Sequence, residues 1–399
     1  MTRTVAIALS TALLAGTTGR SEESAPDPAA VAEVLAGKRT TASAAWWGFD
    51  PEDATASIQS ALDSGARQVV IPNTGRPWIV RPIRLSKSDQ EVLFEKGVSV
   101  VAKKGEFKDG GDCLFQATNV RNLVLRGPGA ILEMRKTDYW GDDYPGGQWR
   151  HGLSLRGCSN VQVLDNDSYG AHFYFYRVLK ESEPVSILVE KCRVGGGHIG
   201  LHVAGGKSGS AGGRVVFRDC TVGNTIKSGI TCREIPADSN LEIAFEDIRL
   251  NDVSTRKPLP AEVEAVYRQY KSRRAPWHCR CHHPQPCLDT VPNAASLTEN
   301  WKGWYPYGPI VLWAKTADGS LQGGIRFSRC VVTEPKDVPV FVAAGTGGTD
   351  EGAPPELKGW TKISGDIQAI SPGGVKSRIV APLVDVSLRI NGKPLMDKP

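Results

Sequence analysis

The sequence lacks a long apolar run. Only Val5–Gly16 stands out, and a bilayer span needs about 20 apolar residues. Preceded by Thr2 and Arg3 and followed by small residues, it has the layout of a secretory signal. Export is therefore expected, to the outside or to the periplasm and cell envelope, with a signal over 1–19 and no membrane span. The chain also lacks a strong charge of one sign. Its net charge is +5, and no Lys/Arg cluster coincides with a nucleic-acid motif, so nucleic acid is excluded as the expected partner. Gly 43 and Pro 26 suit a turn-rich β chain and are too few for a disordered one. No motif collects enough carboxylates to define a Ca²⁺ site, so the sequence requires no cofactor, although it permits Ca²⁺. The His278-Cys279-Arg280-Cys281-His282-His283 run with Cys287 lacks structural-zinc spacing, and an exported chain favours disulfides or loop thiols there.

What the sequence does contain is a repeat. Val189-Glu190-Lys191-Cys192-Arg193-Val194 is answered by Phe217-Arg218-Asp219-Cys220-Thr221-Val222 and then by Phe245-Glu246-Asp247-Ile248-Arg249-Leu250. The anchors are evenly spaced, since 220 − 192 = 28 and 248 − 220 = 28. A second set, Gly200-Leu201-His202-Val203 and Gly229-Ile230-Thr231-Cys232, keeps step, with 229 − 200 = 29. Short alternating apolar runs between Gly, Asn and Ser turns are strands, and an equal period of this size means a solenoid. The expected fold is all-β, a right-handed parallel β-helix. Cys192, Cys220 and Cys330 occupy the anchor position as small buried apolar residues, giving an aligned thiol ladder in preference to disulfides. After Arg256 the pattern breaks, because 330 − 248 = 82; residues 257–307 read as an inserted loop region.

Residues 20–45 read as a flexible leader, and 46–399 as the β-helix domain. Asp50 is placed as an N-cap with Pro51 at the first helical position; Ala54, Ile58, Ala61 and Leu62 share a face, and Gly65 ends the helix. This helix would cap the first coil. The loop from Thr137 to Arg150 is dense in Tyr, Trp, Asp and Gly, a composition suited to sugar contact.

Phe49-Asp50-Pro51-Glu52-Asp53-Ala54-Thr55, then Ile58-Gln59-Ser60-Ala61-Leu62-Asp63-Ser64-Gly65-Ala66 and Val70-Ile71-Pro72, echoed by Phe94-Glu95-Lys96-Gly97-Val98, resembles the N-terminal signature of the pectate-lyase-like superfamily. The resemblance spans roughly Trp46 to Ile379. It implies an exported β-helix protein, many relatives being polysaccharide lyases or polygalacturonase-type hydrolases. The chain departs from them after Val163: Asp165-Asn166-Asp167-Ser168-Tyr169-Gly170 passes straight to His172-Phe173-Tyr174, where relatives carry further acidic coils. Gly197-His198-Ile199-Gly200 and Thr225-Ile226-Lys227 are broken echoes of the hydrolases' Gly-His-Gly and Arg-Ile-Lys steps.

Repeat alignment itself gathers a site. It places His202, Thr231 and Val311 in one outward column and Ala204, Arg233 and Trp313 in the next, with Lys315 beyond. Cations, an imidazole and a flat ring suit an acidic polysaccharide, so His202, Arg233, Trp313 and Lys315 are the substrate-binding candidates. For a lyase, a cation neutralises the uronate carboxylate while a base takes the adjacent proton, for which His198, His202, Lys207, Lys227 and Arg233 are candidates. An inverting hydrolase needs two carboxyl groups roughly 6.5–9.5 Å apart, and Asp165 and Asp167 on one straight strand would be separated by about 6.6 Å. The catalytic set is thus Asp165, Asp167, His198 and Lys227. The expectation is a monomeric protein that cleaves an acidic polysaccharide. A non-catalytic glycan binder and a structural cell-envelope β-helix remain alternatives.

Overall fold

The structure is a computed structural model. It describes residues 26–109, 111–135, 150–169, 174–179, 184–195, 199–204, 212–223, 225, 228–233, 240–253, 308–314, 324–335, 338–345, 360–372, 374–379 and 383–395. The expected signal segment, most of the Thr137–Arg150 loop, His198, Lys207, Lys227, Lys315 and the 257–307 insertion lie outside them.

The chain winds through three sheets in turn. A coil in the regular part consists of Gly213–Arg218 on the first sheet, Thr221–Gly223 on the second and Ser228–Arg233 on the third. Each strand pairs in parallel with its equivalent one coil on: Gly213–Arg218 with Leu241–Glu246, Thr221–Gly223 with Arg249–Asn251, and Ser228–Arg233 with Ile310–Ala314. Among the described residues the third sheet has nine strands. Long strands such as Arg121–Glu133, Ser159–Tyr169 and Gly324–Thr333 bend from the first sheet into the second and join the two. This is the expected all-β parallel β-helix, and such parallel crossovers are right-handed in nearly all proteins.

The anchors stack as the period requires. Glu190 pairs with Arg218 and Arg193 with Thr221, which brackets Cys192 directly beside Cys220 in the next coil. Just before each anchor the backbone turns left-handed, at Lys191, Asp219, Asp247 and Arg329. Asp and Asn tolerate that conformation best of the residues with a side chain. The thiols of Cys192, Cys220 and Cys330 donate to the carbonyls of Val163, Val189 and Phe245 on the coils before. Together with Cys113, Cys158 and Cys232 they are buried thiols that form no disulfide. Burial pushes the Cys330 thiol up to about 11 and the Cys232 thiol higher still, so both are inert at neutral pH.

Inside, a single apolar core runs the length of the solenoid. Phe217, Phe245 and Phe327 stack with ring centroids 5.4 and 5.3 Å apart. Their register partner on the following coil is Gly365, at φ +114°, where a Cβ would fall 1.7 Å from the Phe327 carbonyl oxygen. The ring column therefore ends there.

The N-terminal cap is larger than the sequence suggested. Residues 20–45, read as a flexible leader, include a helix Pro28–Leu35 and a strand Thr41–Ser43 paired with Gln68–Ile71. Asp27 caps the helix by accepting from Ala30 N at 2.9 Å, Pro28 suits its first position, and Ala30 and Val34 are buried. The second helix, Thr55–Asp63, starts later than Asp50. Asp50 instead accepts from the Glu52 N–H in a local turn, and Asp53 receives the Thr55 N–H. Ile58, Ala61 and Leu62 do face the first coil.

Candidate functional site

The third sheet positions the candidate site. Along each of its strands alternate residues point into the core: Leu153 and Leu155, Leu201 and Val203, Ile230 and Cys232, Ile310 and Leu312. The residues between them form outward columns. Register places Gln116, Ser154, Arg177, His202, Thr231, Val311 and Val342 in one column. Thr118, Arg156, Leu179, Ala204, Arg233 and Trp313 form the next. The expected neighbours His202/Thr231/Val311 and Ala204/Arg233/Trp313 thus occupy the register positions that the repeat assigns them.

The first column is polar yet covered. Ser154 is 2% exposed, His202 2% and Thr231 0%. Buried hydroxyls seek partners, and Ser228 and Thr231 supply one another, with their oxygens 2.6 Å apart. The second column is more open and cationic, with Arg156 exposed and Arg233 half-buried. Among the described residues, neither column contains Asp or Glu. No His/Cys/Asp/Glu group among the described residues is arranged to hold a metal ion.

The aspartate pair takes a different geometry. Asp165 lies at φ +59°, at the bend between the first and second sheets, and strand register shifts between Leu164 and Asn166. Asn166 points inward and is fully buried. Asp165 and Asp167 accordingly flank a corner and not one straight strand, so the spacing expected of an extended segment does not apply. Asp167 is in register with Arg193 on the second sheet, away from the His202 and Arg233 columns. The left-handed bend before each anchor, visible in the sequence as Asp219 and Asp247 ahead of the anchors, is the signal that places Asp165 at the same corner.

Sequence reasoning missed a charged ladder on the first sheet. Arg218 bridges Glu190 at 3.3 Å and Glu246 at 2.9 Å, and Arg326 continues to Glu246. The same 28-residue period carries it, because 218 − 190 = 28 and 246 − 218 = 28.

No family model matches the chain, and no curated protein sequence matches it. Solved structures do. A polygalacturonase from Erwinia carotovora ssp. carotovora is 13% identical, with TM-score 0.46 and coverage of 89% of this chain and 96% of its own. An exopolygalacturonase of Yersinia enterocolitica is 10% identical (TM-score 0.34; 90% and 79% covered). An endo-xylogalacturonan hydrolase from Aspergillus tubingensis is 12% identical (TM-score 0.33; 86% and 98% covered). The likeness is one of fold, which the strand register above establishes by itself.

Proposed function

We propose that this chain is an exported β-helix protein that acts on an acidic polysaccharide laid along the outer surface of the third sheet. The observation that carries the reading is the open cationic column of Arg156 and Arg233, free of carboxylates among the described residues, with the covered column of Ser154, His202 and Thr231 packed beside it. Arg156 and Arg233 lie three coils apart, about 14 Å at the spacing of parallel strands, so an extended chain of uronate or sulfate groups can meet both. Arginine suits this task, since its planar fork binds carboxylate or sulfate oxygens in pairs. Trp313, at the register position after Arg233, is proposed to offer its ring to a pyranose face, and Lys315 a further cation. For a lyase-type reaction we take His198 as the base and Lys227 as the cation from the candidate set. Ca²⁺ would serve there only as a substrate-bridging cation.

A lyase-type reaction fits this surface better than a two-carboxylate hydrolysis, because Asp165 and Asp167 lie at a different corner of the prism. The same lack of carboxylates favours a second reading, a binder that does not cleave. Incubation with a panel of uronic-acid polymers separates the three. Absorbance of an unsaturated product marks a lyase, new reducing ends alone mark a hydrolase, and retardation in glycan-containing gels without product marks a binder. Arg233→Ala should weaken retention by polygalacturonate about tenfold. Retention unchanged in Arg233→Ala and Arg156→Ala would remove the third sheet as the site.

A further inference from the structure

The outer surface of the first sheet carries a second arrangement, on a different face of the solenoid from the third-sheet site. One column there reads Arg214, Glu242, Gly324, Lys362, Asp385. Arg214 pairs in register with Glu242, and Glu242 with Gly324. A Cβ on Gly324 would meet the Lys362 carbonyl oxygen at 2.9 Å, which puts the two residues in contact on successive coils. Lys362 and Asp385 are bracketed by the pairs Thr361/Val384 and Ile363/Val386. All five line one groove of about 450 Å³, floored by Ala244, Ser364 and Ser387.

The order of charges is plus, minus, none, plus, minus. Turned end for end it reads minus, plus, none, minus, plus, which is its complement at every position. A two-fold axis running along the strand direction through Gly324 reverses the coil order and keeps each column facing itself. Arg214 then meets the second copy's Asp385, and Glu242 meets its Lys362, each contact occurring twice. The four charged residues are exposed, whereas Gly324 at the centre is buried and leaves room on the axis. The neighbouring Glu190–Arg218–Glu246–Arg326 ladder is satisfied within the chain. Arg214, Glu242 and Asp385 enter no ion pair among the described residues, even though Arg214 and Glu242 lie on adjacent strands. The small floor residues allow close approach.

We infer that this face is the self-complementary interface of a two-fold dimer in which two solenoids pack antiparallel through their first sheets. Arg326, on the same coil as Gly324, meets its own mate at the axis, and each copy's Glu246 neutralises that contact. Five coils and the length of a six-residue strand make a patch of roughly 20 Å by 20 Å, or about 400 Å² per copy. That is below the range of standard stable interfaces. The dimer is therefore weak, concentration-dependent and weakened by salt.

Sedimentation velocity of the full chain over a concentration series, at low and high salt, tests this. A monomer–dimer equilibrium is expected that shifts to monomer with added salt. Glu242→Lys should weaken it at least about tenfold, as should Lys362→Glu, because each substitution sets two like-charge contacts across the axis. The double variant Glu242→Lys/Lys362→Glu should restore the parent behaviour to within about threefold. With Cys279, Cys281 and Cys287 replaced by Ser, a short bis-maleimide should link Arg326→Cys to its own mate, and should not link the same chain with Arg326 intact. Monomer at every concentration and salt would overturn the inference. So would a dimer indifferent to either single substitution, or one whose Arg326→Cys form stays unlinked. Circular dichroism of each variant keeps misfolding distinct from loss of association.

Discussion

Asp53 shows how one residue couples the cap to the coils. Its carboxylate accepts from the Thr55 hydroxyl at 2.5 Å and from Lys103 Nζ at 2.9 Å, with Arg81 Nε at 2.8 Å. Burial alone would raise its pKa, but the hydrogen bonds from Lys103 and Thr55 outweigh that and hold it at about 2. A depressed carboxylate stabilises the fold above its unfolded pKa, near 4, and that contribution is lost as pH falls through about 2. The difference corresponds to about 2 kcal/mol. Asp53→Asn should therefore be less stable than the parent by about that amount at pH 6 in urea unfolding, with the gap closing towards pH 2. A gap that stays constant with pH would mean that Asp53 acts through packing and not through its charge.

At the scale of the element, each column is a short one-dimensional stack whose members support one another. The Phe217–Phe245–Phe327 column is one of stacked aromatic rings, and Phe245 has a ring on either side. Phe245→Ala should cost about 3–5 kcal/mol, since removing the middle ring opens a cavity that the rigid coils above and below cannot close. A loss under about 1 kcal/mol in chemical denaturation would show that the coils collapse into the gap. These columns also explain what the sequence revealed and what it hid. Wherever coils are of equal length, the period places residues correctly, so the Cys192/Cys220 stack and the His202/Thr231 neighbours were legible, whereas Arg233/Trp313, 80 residues apart across the insertion, was aligned by matching one apolar strand to the next. The Asp165/Asp167 spacing was misjudged because it assumed a straight strand where a left-handed residue turns a corner. The leader was misread because Ser, Ala, Glu and Pro around Pro28–Leu35 suggest disorder, whereas Asp27, Pro28 and the buried Ala30 and Val34 make a capped helix. The first-sheet charge column went unseen because it crosses the insertion after Val253, beyond which counting by 28 no longer finds Gly324, Lys362 and Asp385.

For the whole molecule, the parallel stack means that each coil touches mainly its two neighbours. Stability is then close to a sum of coil terms and nearest-neighbour interfaces, and damage should stay local. Two features argue the other way. The core is one continuous cluster from Val34 to Ile390, and hydrogen bonds such as Thr221 N to Cys192 O tie each coil to the last. Amide hydrogen exchange of Phe245→Ala decides between the two pictures. If nearest-neighbour coupling governs, protection should fall most in Gly213–Arg218, Leu241–Glu246 and Gly324–Thr333, the strands stacked on the altered ring. Gln68–Ile71 and Gln90–Phe94, several coils away beneath the helical cap, should keep nearly their parent rates. An equal loss of protection at both ends would show instead that the solenoid opens as a single unit, with the cap and the last coil held together by the same transition.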